Sequence, residues 1–274
     1  MEIAVDILEV LDTSMEEPGI YGWFHIMWLV ITAGATAALC FFFKGASDKQ
    51  IRAVILSVAV IVTLLEIYKQ INYTFTVQDG QIRTDYQWYA FPFQFCSTPM
   101  YVGLLAGLTR KGRVHKALCA FLASYAVFAG VCVMLYPADV FIETIGINIQ
   151  TMVCHGSMIT VGVFLLYTGY VPCEHKSVLP AIPVFAVCVG IAMILNEIAH
   201  ASGLLVTETF NMFFISPYCA PSLPVYSLVQ QVIAYPWNLV IYIMMFSLAA
   251  YLMLLIAMLI KRISATHSKG VRVS

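Results

Sequence analysis

Charge is what this chain has least of. Only 11% of its 274 residues are Asp, Glu, Lys or Arg, and 61% are hydrophobic. A soluble domain carries about 25% charged residues, so the deficit excludes an ordinary water-soluble enzyme and points to a polytopic membrane protein. Other signatures are missing as well. The first 18 residues hold Glu2, Asp6, Glu9, Asp12, Glu16 and Glu17. A cleavable signal peptide needs a basic start and an apolar core, so none is expected. The eight cysteines form no C-x-x-C pair, which argues against a zinc knuckle or a thioredoxin-like centre. There is no H-E-x-x-H and no other i, i+4 histidine pair, so neither a metal site nor a cofactor is expected. Internal repeats and low-complexity segments are absent too.

What is present is a series of apolar runs. A membrane helix needs about 20 mostly apolar residues. Seven spans are read: Tyr21–Phe43, Ile51–Tyr73, Phe93–Thr109, Ala117–Tyr136, Thr151–Val171, Leu179–His200 and Pro236–Ile260. The third is short. A backbone in lipid must satisfy its own hydrogen bonds, so the expected fold is an all-α membrane helix bundle. The basic residues fall on alternate connections: Lys44, Lys49 and Arg52; then Arg110, Lys111, Arg113 and Lys116; then Lys176; then Lys261, Arg262, Lys269 and Arg272. Only Lys69 and Arg83 map to the other side. This bias predicts the N-terminus outside and the C-terminus in the cytoplasm. The expected organisation is a short acidic segment over 1–20, a seven-helix domain over 21–262 and a short basic tail over 263–274. Of the long outer connections, Thr74–Pro92 carries the turn signal Asp79-Gly80. Ala201–Tyr235 is apolar enough to re-enter the membrane or cap the bundle.

The few polar residues within the spans fall at one depth, near the outer ends. They are His25, Glu66, Lys69, Asn72, Cys96, His155, Asn196, Glu197 and His200. Ionisable groups at membrane depth cost roughly 2.5–3.5 kcal/mol each on insertion scales, so they commonly mark function. Glu66, Lys69, Gln70 and Tyr73 share one helix face. A structural ion pair and one wall of a hydrated site are equally good readings of Glu66 and Lys69. Asn196, Glu197 and His200 lie within one arc, either as interhelical hydrogen bonding or as part of a site. His25 sits among Tyr21, Trp23 and Trp28, which suits an interfacial anchor.

Pro92-Phe93-Gln94-Phe95-Cys96-Ser97-Thr98-Pro99 is the densest local signal. Pro92 suits a helix start, which would put Cys96 in the first turns, where the dipole favours a thiolate. Cys96, Pro99, Gly103 and Gly107 form a face of small residues that would allow close helix contact. A membrane cysteine taken alone is more often filler. Cys119, Cys132 and Cys188 are expected to lack both a helix start and a nearby imidazole.

Phe91-Pro92-Phe93-Gln94-Phe95-Cys96-Ser97 resembles the L-P-L-x-L-C segment of the YwaF-type integral membrane family, whose eukaryotic relatives are the transmembrane protein 164 proteins. The histidine opening the fifth span resembles the family's later H segment. Asn211-Met212-Phe213-Phe214 with Pro217 resembles its N-Y-x-x-L-x-x-P segment. The chain has Phe where the family has Leu before the cysteine, and Met212 where Tyr is frequent. The resemblance covers most of the chain and implies a cysteine-centred acyltransferase that moves fatty acyl chains between phospholipids, with Cys96 as acyl acceptor and His155 as base. It also implies a bacterial cytoplasmic membrane location.

The expected function is therefore a lipid acyltransferase or hydrolase near the outer leaflet. Cys96 would be the nucleophile and His155 or His200 the base. Gln94 or Asn211 would donate to the oxyanion, and Glu66, Lys69, Asn196 and Glu197 would support the polar site. Membrane lipids are the expected partners, and nucleic acid is not. Two alternatives stand beside it: a transporter using a buried Glu/Lys/His path, and a structural bundle whose polar residues only lock packing.

Overall fold

A computed structural model describes residues 2–270. The end of the expected basic tail, 271–274, lies outside the described residues. The fold is a helix bundle with one small hairpin. Its elements run α1 (Glu2–Leu11), α2 (Trp23–Phe42), α3 (Asp48–Asn72), β1 (Phe75–Gln78), β2 (Gln81–Thr84), α4 (Thr98–Leu108), α5 (Arg113–Leu122), α6 (Tyr125–Leu135), α7 (Ile145–Tyr167), α8 (Ala181–Ala201), α9 (Pro224–Val232) and α10 (Asn238–Gly270).

Six helical segments are long and apolar enough to cross a membrane: α2, α3, α5 with α6, α7, α8 with the 3₁₀ turn before it, and α10. The third expected span departs from this pattern. Only its 11 residues Thr98–Leu108 are helical, about 16 Å at 1.5 Å per residue. That is about half the hydrocarbon thickness. Pro92 does not begin this helix; Pro99 stands in its first turn. Residues 91–97 form an irregular segment instead.

The helix ends follow local chemistry. Ser47 and Gln50 make a reciprocal capping box at the start of α3, which satisfies two otherwise unpaired N–H groups. The Asp79-Gly80 signal becomes a two-residue hairpin turn, with both residues at positive φ (51° and 70°), as a right-twisted hairpin requires. α7 starts at Ile145 rather than Thr151, because Asn148 on its first turn clamps the preceding loop: its side chain bonds the N–H and C=O of Ile142 at 3.0 and 2.6 Å.

α3 and α4 pack very closely. A Cβ on Gly107 would meet Leu56 Cβ at 2.6 Å and its Cα at 2.9 Å, and one on Gly103 would meet Ala59 Cβ at 3.0 Å. The small-residue face thus serves the contact expected of it. The basic connections gather at one end of the bundle. Lys111 pairs with Asp48 at 2.9 Å, Arg52 donates to Thr109 C=O, His115 meets Tyr170, and His175 meets Tyr251. The polar residues of interest lie toward the opposite end.

Candidate functional site

The far end of α3 carries Glu66, which is buried. One carboxylate oxygen accepts from Lys69 Nζ at 2.9 Å and from Gln70 Nε2 at 2.8 Å. The other accepts from Gln150 Nε2 on α7 at 3.4 Å. Gln70 extends the network: it donates to Ala90 C=O at 2.9 Å and accepts from the Tyr86 hydroxyl at 2.7 Å. A buried carboxylate needs such partners to remain tolerable at this depth. Glu66 and Gln150 thus join α3 to α7 in one polar cluster.

Cys96 is half-buried in the turn that precedes α4, with Ser97 as the N-cap. It lies just before the helix rather than within its first turns. Its carbonyl accepts a weak thiol hydrogen bond from Cys154 at 3.8 Å. Beside Cys154, His155 is buried, and its Nδ1 faces the Thr151 carbonyl at 2.8 Å. A carbonyl can only accept, so Nδ1 carries the proton in the neutral ring and Nε2 presents a lone pair. That Nε2 is buried and has no hydrogen-bond partner among the described residues. No hydrogen bond joins Cys96 to His155 directly. Because α7 starts early, His155 sits ten residues into its helix, about 15 Å from its start, and does not open the span.

The remaining expected site residues form a second cluster around the loop after α8. Asn196 is fully buried and clamps Met212, accepting from its N–H at 2.8 Å and donating to its C=O at 3.1 Å. Gln94 holds the same loop, donating to Asn211 C=O at 3.2 Å and accepting from Phe213 N–H at 3.1 Å. Asn211 accepts from Ser216 N–H at 2.9 Å. Phe213 is thereby set into the core against Phe93, Phe95 and Phe185, so the apolar connection caps the bundle. Glu197 accepts from the Tyr218 hydroxyl at 2.7 Å. His200 is exposed and stacks on the same tyrosine with ring centroids 3.6 Å apart. These contacts tie His200 to the loop after α8, and the amides of Gln94 and Asn211 are engaged in holding it.

Two further histidines have structural roles. His25 is fully buried rather than anchored in an aromatic belt; its ring bonds Tyr21 N–H and Met134 C=O, each at 2.9 Å. His115 touches Cys119 Sγ at 3.5 Å near the basic end, so Cys119 does have an imidazole neighbour. That ring is already bonded to Ala106 C=O at 3.0 Å and the Tyr170 hydroxyl at 2.7 Å, and the thiol is buried. The pair locks α5 to its surroundings. Among the described residues, no group of three His, Cys, Asp or Glu side chains is placed to hold a metal ion.

Gln150, Thr151 and Cys154 belong to the first cluster but were not singled out as site residues. Their signal is two i, i+4 polar pairs on one helix, Gln150 with Cys154 and Thr151 with His155. The first pair is lost when the span is started at Thr151.

Fold and site together define a polytopic helical membrane protein with a polar cluster buried at one end. Residues 20–256 match the TMEM164 family, which is most of the chain, and the chain belongs to that family. Comparison with curated proteins and with solved structures finds no match.

Proposed function

We propose that this protein is a membrane-embedded lipid acyltransferase or hydrolase with Cys96 as nucleophile and His155 as base. One observation carries the reading: among the described residues His155 is the one histidine with a buried ring nitrogen that has no partner, and Thr151 holds its other nitrogen. A catalytic base needs this arrangement, with one nitrogen oriented and the other available. Its chain neighbour Cys154 touches the backbone of Cys96. Catalytic hydrogen bonds are commonly long in an unliganded enzyme and tighten once substrate is bound.

In the first step the Cys96 thiol proton passes to His155 Nε2 and Sγ attacks the acyl ester carbonyl. A C–S bond forms, the ester C–O bond breaks, and the leaving alkoxide takes the proton from Nε2. In the second step a lysolipid hydroxyl, or water, gives its proton to Nε2 and attacks the thioester; a C–O bond forms, the C–S bond breaks, and the leaving thiolate takes the proton from Nε2 to restore the thiol. Lys69 is the cation of the cluster that would stabilise negative charge on sulfur or on the developing oxyanion. The Glu66 network fixes Lys69 in place. Gln94 and Asn211 act by seating the loop over the site.

We place the basic end in the cytoplasm, following the charge bias, with 91–97 and α4 together forming the third of seven crossings. On that orientation the site is reached from the outer end of the bundle, with His155 about 15 Å below the start of α7. A transporter reading would need a polar path onward, whereas the void below Cys154 is lined almost wholly by apolar side chains. The test is transfer or release of a labelled acyl chain from phospholipid by purified protein in liposomes. Loss with Cys96→Ala and with His155→Ala supports the assignment. Wild-type turnover by Cys96→Ala overturns it.

A further inference from the structure

We infer that an acyl chain of a membrane phospholipid reaches the site sideways, through a groove between α3 and α4. This rests on the proposed function for its purpose, but the binding site itself stands on geometry.

The groove has a volume of about 370 Å³, within the range of small-molecule sites. It is lined by Thr63, Glu66, Ile67 and Gln70 on α3 and by Met100 and Tyr101 on α4. On α3 it runs from Thr63 to Ile71, about 12 Å along the helix, and it continues past the helix end to Thr74 and Phe75. The wall follows an i, i+3, i+4, i+7 row, a single helix face. Ile67, 52% exposed, stands at its mouth, and Leu64 beside it is 60% exposed. α3 is long and apolar enough to span a bilayer. A groove opening on the uncovered side of such a helix faces lipid tails, not water. The occupant that the bilayer supplies there is an acyl chain, and the groove's one charged residue, Glu66, is also the anchor of the catalytic cluster.

Met100 sets the inner limit. It lies one helical turn beyond Cys96, is buried, and separates the groove from the void of about 30 Å³ that adjoins Cys154. A methionine is the flexible kind of side chain that can yield to a ligand there. Lipids packed around the outside of the bundle cannot reach it, so Met100 reports entry into the groove.

The experiment uses the full chain in liposomes containing a phospholipid with a mid-chain diazirine, followed by photolysis and peptide mapping. Label on Met100, in addition to label on outward residues such as Leu64, is the expected result. Filling the groove by Thr63→Trp, or narrowing its mouth by Ile67→Trp, should cut Met100 labelling at least about tenfold and leave labelling on α10 unchanged. The α10 labelling also shows that each variant is folded in the bilayer. Absence of label on Met100 in the wild type, or undiminished label in both variants, overturns the proposal. So does labelling by a diazirine fatty acid but not by the phospholipid. Cys96→Ala should keep the Met100 label. If Met100 is labelled but the wild-type protein transfers and hydrolyses no acyl chain, the groove stands and the catalytic reading falls.

Discussion

Replacing Glu66 by Gln removes one charge and leaves the shape of the cluster intact. In the native chain Lys69 and Glu66 expose 15% and 7% of their side chains and lie 2.9 Å apart. After the change the ammonium of Lys69 loses its only close counter-charge among the described residues, and of Gln70 and Gln150, which donate to different oxygens of Glu66, one is left facing an amide N–H rather than an acceptor. Breaking a buried ion pair by removing one partner costs about 3–5 kcal/mol. The residual exposure of Lys69 favours the lower figure, about 3 kcal/mol. That is about a 150-fold change in the folded-to-unfolded ratio, and about 6–12 °C in Tm for a chain of this size. Adding Lys69→Met should recover all but about 1 kcal/mol, because removing both partners leaves no stranded charge. Thermal unfolding of the single and double variants in detergent reads both quantities. If Glu66→Gln costs less than about 1 kcal/mol, or if the two substitutions simply add, then the pair is not the electrostatic anchor of this cluster.

The other expectations are more direct. Cys96→Ala and His155→Ala should each lower acyl transfer or hydrolysis at least about 10²-fold, the low end for losing general-base or nucleophile chemistry, while Cys132→Ala is silent; turnover assays on purified variants decide it. Gly107→Ala should destabilise by about 1–3 kcal/mol, since the new methyl meets backbone as well as side-chain atoms of Leu56; Tm in detergent checks this. Asn196→Leu should strand the N–H and C=O of Met212, costing about 2–3 kcal/mol, and limited proteolysis should then cut first near 204–219. Cysteine labelling from outside intact cells should reach an introduced thiol at Ser222 and not one at Ser264, given the charge bias.

The membrane class and the helical bundle were legible because burial in lipid is written into composition and run length. Six runs recur as long helices. The third fell short because hydropathy counts apolar residues and does not see that Pro92, Pro99 and Ser97 interrupt a helical ladder. The depth of Glu66 and Lys69 near the end of α3 was legible from their position along the span, whereas that of His155 was not, because α7 starts at Ile145 and places it ten residues in. Nor was azimuth legible. Glu66 and Lys69 gather with Gln150, and Cys96 meets Cys154, whereas Asn196 and His200 point into another neighbourhood. Helix rotation and neighbour choice depend on packing pairs such as Gly107 with Leu56, which a single sequence does not display. The His115–Cys119 contact shows the converse: an i, i+4 thiol–imidazole pair was visible in the sequence, and its structural role emerged only from Tyr170 and Ala106 closing around the ring.

The brevity of α4 bears on how the chain is built into a membrane. Eleven residues are too few to partition into a bilayer as an independent helix, and the irregular turn before it carries backbone groups that lipid cannot satisfy. α4 therefore has to enter with α3 already beside it, as the second arm of a hairpin. Leu56 and Ala59 seat its glycines, and Arg52 fastens its end through the Thr109 carbonyl. Cys96, the proposed nucleophile, thus rides on a segment whose insertion depends on the preceding helix, so a defect on the α3 face would surface as failed biogenesis before it surfaced as a loss of function.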